Sequence, residues 1–187
     1  MTDNVVGLIV LTGVGATALT DFWCLVRQRV FAVPFPNYGF VGRWIAHMAR
    51  GRFVHESIAA AVPVSGERAI GWASHYLIGI AFAFVLSATA SPEWFHHPTL
   101  APALLVGIGT VVAPFFLMQP AMGAGIAASR TPRPSAARFH SLAMHAIFGI
   151  GLYATALLQA AALERNQALS NVDQRPEFVH VRVAVRE

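Results

Sequence analysis

The sequence has no lysine and a single cysteine, Cys24, in 187 residues, and only 12% of its residues are charged. One cysteine excludes an internal disulfide framework and any zinc cluster built on cysteine pairs. The shortage of charge excludes an ordinary water-soluble globule, in which about a quarter of residues are charged. All 13 basic residues are arginines, set against nine acids, so the isoelectric point near 10.2 reflects a modest +4 on a chain with few charges. The arginines fall in short bursts between apolar runs, without the basic stripe and interleaved aromatics of a nucleic-acid surface, so no nucleic-acid partner is expected. What the chain has in abundance is apolar surface: 56% of it is hydrophobic and its mean hydropathy is +0.56.

A bilayer core about 30 Å thick needs roughly 20 apolar residues of helix, and the sequence offers that length four times. The runs are Val5 to Val26, Ile70 to Ala90, Leu100 to about Gln119, and Ser141 to Leu163. Pro114 lies inside the third, where a missing N–H and a ring clash predict a kink. Orientation follows from the arginines, because basic loops are retained on the cytoplasmic side. The loop after the first span carries Arg27, Arg29, Arg43, Arg50, Arg52 and Arg68, and the loop after the third carries Arg130, Arg133 and Arg138, whereas Ser91 to Thr99 carries none. Both long loops are therefore expected inside and the N-terminus outside, in a bacterial inner membrane. The first run lacks a basic flank before it and is expected to stay as an anchor.

The expected fold is an all-α, four-helix transmembrane bundle over residues 1–163, followed by an extramembrane tail over 164–187. Within the first cytoplasmic loop, Phe40 to Arg50 reads as an interfacial amphipathic helix: Phe40, Val41, Trp44, Ile45 and Met48 share one face, and Arg43, His47 and Arg50 the other. In the tail, Val179, Val181, Val183 and Val185 alternate with polar residues in the period of a strand. A lone strand is marginal in water, so the tail is expected to pair with a membrane-complex partner, to pair with a second copy in a homodimer, or to stay disordered.

Ionisable groups inside membrane helices are costly and usually face the bundle interior. At 1.5 Å rise per residue, Asp21, His75, Gln119 and His145 all fall about 8 Å below the cytoplasmic interface. The small residues that share their faces, Gly13 and Thr17 with Asp21, Gly71 and Gly79 with His75, and Gly149 with His145, suit close helix contact rather than lipid. Three readings of this cluster stand open. It can hold a substrate or relay protons, since histidine titrates near neutrality beside a carboxylate. Asp21, His75 and His145 can ligate zinc or iron with one position free. Or the four can be polar glue between helices.

A second set of residues is expected at the lipid headgroups. Arg43 and Arg50 lie in the first loop, and Ser129 and Arg130 end a stretch from Met118 through Gly123 and Gly125 to Pro132. Each can contact a phosphate, and the bland alternative is a charged surface resting on membrane lipids.

The stretches Asp21-Phe22-Trp23, Tyr38-Gly39-Phe40-Val41-Gly42-Arg43-Trp44, Arg50-Gly51-Arg52-Phe53, Gly66 to Trp72, His75-Tyr76, Met118 to Pro132, and His145 with Phe148-Gly149 together resemble the bacterial inner-membrane family catalogued as domain of unknown function 2938. The resemblance covers about Val5 to Leu163 and implies a small four-helix membrane protein, without an activity, substrate or cofactor. The expected function is a small-molecule or ion carrier that uses the polar cluster. The alternatives are a metal-dependent membrane enzyme acting on a lipid or quinone, and a non-catalytic subunit of a membrane complex.

Overall fold

The computed structural model describes residues 5–173. It is all helical. Four of the described helices are long and apolar enough to cross a membrane: α1 (Val5–Phe31), α3 (Glu67–Ala90), α4 (Leu100–Ala121) and α5 (Pro134–Asp173). A short helix α2 (Tyr38–Met48) occupies the first long loop, opened by the Asn37 side chain, which accepts a hydrogen bond from the Gly39 amide at 3.1 Å. The kink expected at Pro114 is a π-helical turn over Pro114–Met118 inside α4. A proline cannot supply the next helical N–H, and a widened turn absorbs the mismatch. The last helix does not stop at Leu163; its first ten residues beyond that point remain helical, while the alternating valines lie outside the described residues.

Small residues decide which helices touch. In lipid no hydrophobic force drives apolar helices together, so contact depends on close backbone approach. A Cβ on Gly13 of α1 would lie 2.9 Å from the Gly79 carbonyl oxygen of α3, and one on Gly151 of α5 would lie 2.8 Å from the Ala16 Cα of α1. On Gly107 of α4, a Cβ would lie 2.7 Å from the Gly149 nitrogen of α5. These three seams join the helices in the order α3, α1, α5, α4. The fourth seam, between α3 and α4, has no such point: Gly71 and Gly79 of α3 face α2 and α1, and nothing stands within 4 Å of a Cβ on Gly109.

The half of the bundle away from the long loops is closed. Leu86, Phe95, Ala103, Leu152 and Ala156 are almost wholly buried there, with Trp94 and Phe95 of the α3–α4 connection folded underneath. Thr12 of α1 adds a polar tie in this region, accepting from Gln159 Nε2 of α5 at 2.9 Å. At the opposite end the two long loops dock on each other. The His55 amide donates to the Ala121 carbonyl at 2.8 Å and the Ile58 amide to Met122 at 3.0 Å. Gly123 makes this possible: its φ of +95° suits glycine alone, and a Cβ would collide with the Glu56 carbonyl.

The amphipathic helix is present, starting two residues before the expected Phe40, but two residues of its polar side are buried along with its apolar face. Arg43 and His47 are each only 6% exposed. Arg43 grips Glu67 at the start of α3 through two 2.8 Å bonds, and its Nη1 donates to the carbonyls of Ile58, Ala59 and Ala61. With its donors taken inside the protein, Arg43 is a staple of the loop and not the headgroup contact expected of it. His47 Nδ1 and His55 Nε2 stand 2.8 Å apart in a stacked pair. Arg50, Ser129 and Arg130 are exposed, as a headgroup contact requires.

Candidate functional site

Because the α3–α4 seam does not close, a cleft of about 510 Å³ runs into the bundle from the loop end. Thr17 and Thr20 of α1 form its back wall, with Phe82 of α3 and Phe148 of α5 in its apolar depth. Ile78 and Leu117 stand on its two lips and are exposed. His75, Gln119, His140, Ser141 and His145 give the wall its polar groups, and Tyr38 of α2 roofs the loop end. The threonines contribute little polarity, since Thr17 and Thr20 return their hydroxyl protons to the carbonyls of Gly13 and Ala16 at 2.8 and 2.9 Å.

Asp21, 8% exposed, stands behind this wall and holds three donors from two other helices. Tyr38 Oη donates to Oδ1 at 3.1 Å, Tyr76 Oη to Oδ2 at 3.2 Å, and His75 Nε2 lies 3.1 Å from Oδ1. The carboxylate thereby orients the His75 ring. The ring is stacked on Tyr38 with centroids 4.0 Å apart, and Trp72 packs edge-on to Tyr38 at 4.8 Å. Burial pushes the Tyr38 phenol well above its ordinary range, with the Asp21 charge adding to the effect, so Tyr38 remains a donor.

The four residues expected at one level divide into a bonded pair and two separate members. Gln119 and His145 share the cleft with His75, but their hydrogen bonds go elsewhere. His145 Nδ1 stands 2.9 Å from Thr110 Oγ1 and 3.2 Å from the Gly107 carbonyl, and Gln119 Nε2 reaches Ser141 Oγ at 3.4 Å. Rise per residue sets depth, whereas the direction of a side chain around its helix is set by which neighbour packs there. The expected zinc or iron set is corrected on the same ground: among the described residues no three His, Cys, Asp or Glu side chains are grouped so as to hold a metal ion.

Three participants were not visible as such in the sequence. Arg27 reads there as a flank of the first span, yet it is 8% exposed and its Nη1 donates to the His140 ring, 2.6 Å from Nδ1 and 3.0 Å from Nε2. A signal for it existed: Arg27 follows Asp21 and Cys24 at helical spacing, on the face that carries Gly13 and Thr17. Tyr38 and Tyr76 likewise complete the Asp21 shell, and their part depends on α2 folding back over α3.

Residues 10–159 match the family described as a protein of unknown function (DUF2938). The chain belongs to this family. The matched region takes in all of the cleft and its polar wall, and no curated protein or solved structure matches the chain. The family thus carries the fold without assigning the cleft an occupant.

Proposed function

We propose that the protein is a small-molecule carrier of the bacterial inner membrane, N-terminus outside, that takes an amphipathic molecule laterally from the bilayer into the α3–α4 cleft. One observation carries this reading: an apolar space of about 510 Å³, opening between two transmembrane helices and holding its polar groups toward one end. That volume falls within the roughly 300–1,000 Å³ of small-molecule sites, which combine apolar walls with a few placed polar groups. The occupant's chain lies against Phe82 and Phe148, and its polar end meets His75, Gln119 and Ser141. The arginine bias of the two long loops supports the orientation, with the polar end of the cleft toward the cytoplasm.

The test is saturable binding of radiolabelled hexadecanol to the protein in a nonionic detergent. Wild type binds it. Ala81→Trp, a substitution on an exposed residue of the cleft wall, fills the space and removes binding. Equal binding by both proteins contradicts the reading. A second reading, acid–base chemistry on a lipid or quinone, draws on the Asp21–His75 pair, since a carboxylate-oriented imidazole is the arrangement a general base needs. It predicts product formation that His75→Ala abolishes, and absence of turnover with any bound lipid or quinone removes it.

A further inference from the structure

Two buried arginines are served differently. Arg43 and Arg27 are 6% and 8% exposed. On Arg43 the adjacent Nε and Nη2 donate to the two carboxylate oxygens of Glu67, and Nη1 is taken by carbonyls. On Arg27 the single engaged nitrogen is Nη1, which donates to His140 and lies 3.7 Å from Met144 Sδ. Its Nε and Nη2, both buried, have no hydrogen-bond partner. They form the same side-on fork that grips Glu67 on Arg43, the geometry in which a guanidinium binds a carboxylate or phosphate through two parallel bonds.

No carboxylate among the described residues forms an ion pair with this cation. The ion pairs among the described residues join Arg43 to Glu67 and His75 to Asp21, and the Asp21 oxygens already accept from Tyr38, His75 and Tyr76. A guanidinium is a fixed charge, and burying one without a counter-charge is strongly unfavourable. Arg27 does not itself line the cleft and lies one layer behind its wall: His140 and Met144, the partners of Nη1, line the cleft at its loop end, so a head group reaches the guanidinium by passing these two side chains. Because Nη1 is anchored on His140, the guanidinium plane is held and the Nε–Nη2 edge is preset.

We propose that Arg27 receives the oxyanion, carboxylate or phosphate, of an amphipathic acid whose apolar chain lies in the α3–α4 cleft. This rests on the cleft-binding reading above and narrows the occupant from any amphiphile to an anionic one. His140 is a positioning residue in this account.

The experiment compares wild type, Arg27→Gln, Arg27→Lys and Ala81→Trp in a nonionic detergent. The probes are palmitate, hexadecyl phosphate and uncharged hexadecanol, with inorganic phosphate and acetate as chainless anions. Wild type binds palmitate or hexadecyl phosphate about tenfold or more tightly than hexadecanol, the size expected for charge-assisted bonds. Arg27→Gln brings that ratio near one. Arg27→Lys restores part of it, because an ammonium keeps the charge and lacks the fork; should the Gln variant fail to fold, a wild-type ratio in Arg27→Lys overturns the fork. Inorganic phosphate or acetate that raises the melting temperature of wild type and not of Arg27→Gln supports the oxyanion site and assigns it to a free anion. A response confined to the chain-bearing acids assigns it to a lipid. An unchanged ratio in Arg27→Gln, with binding lost in Ala81→Trp, overturns the role of Arg27 and leaves the cleft standing. Undiminished binding in Ala81→Trp overturns the cleft reading itself.

Discussion

The seams on either side of α4 differ in one respect that matters. Toward α5, Gly107 meets Gly149 and the backbones come together; toward α3 there is no glycine at a crossing point and a cleft remains. The two seams share apolar composition, so hydrophobicity does not separate them. What separates them is whether two backbones can approach closely enough to gain packing that lipid does not already offer. A polar anchor reinforces the difference. Asp21 ties α3, through His75 and Tyr76, to α1 and holds Tyr38 of α2 over the loop end. With α3 pinned to α1 and α4 pinned to α5, the space between α3 and α4 is left open.

Breaking the polar anchor has the largest expected effect. Asp21→Ala leaves three donors without their acceptor, and the cost is about 3 kcal/mol, read as a fall in melting temperature in detergent. Freed from α1, α3 should shift toward α4; a wild-type melting temperature would mean that Asp21 ties nothing together. Next in size is Gly107→Val, which forces a side chain against Gly149 and the His145 carbonyl at about 1–3 kcal/mol. Gly109→Val is its control. Two residues along the same helix, with nothing within 4 Å of a Cβ, it should stay within about 0.5 kcal/mol of wild type. Equal losses at the two positions would refute the claim that glycine contact closes the α4–α5 seam. Smaller still is the stability change for Ala81→Trp, within about 0.5 kcal/mol, since the new ring enters the open cleft.

The smallest effect concerns the docked loops and depends on pH. Burial, then the charges of Arg52 and His47, hold the His55 pKa below its ordinary 6.5, against a small opposing effect of the Ala121 backbone. The folded form therefore binds the proton less readily than the unfolded one. The stability that neutral His55 contributes is complete above about pH 6.5 and is lost as the pH falls. Amide exchange at His55 and Ile58 should quicken on acidification, and His55→Gln should flatten that dependence; an identical pH profile in the variant would show that another group is responsible.

How much of this was legible in the sequence follows from the range of the forces involved. The four spans were, because length and apolarity are local properties, and so was the irregularity at Pro114. The Asp21–His75 contact was half legible: depth follows from residue counting, and glycines on the shared faces of α1 and α3 turned both side chains inward. His145 fell at the same depth but turned to Thr110 and Gly107, since its direction is set by the α4–α5 seam. The burial of the polar side of α2 at Arg43 and His47 was not legible at all. Its arginine looked like a surface charge until Glu67 and the carbonyls of Ile58 to Ala61, all later in the chain, folded around it. Arg27 reads as a flank in the sequence for a related reason: only the arrival of His140 from α5 encloses it.

The central claim is that the α3–α4 seam is a binding cleft open to the bilayer. It is tested most directly by photolabelling wild-type protein in nanodiscs with a diazirine-bearing palmitate and mapping the modified peptides. The account predicts label concentrated on the α3 and α4 residues that face each other, Ile78, Ala81 and Leu117, and displaced by excess palmitate. Label spread evenly over the lipid-facing sides of all four long helices, and not displaced, would contradict it.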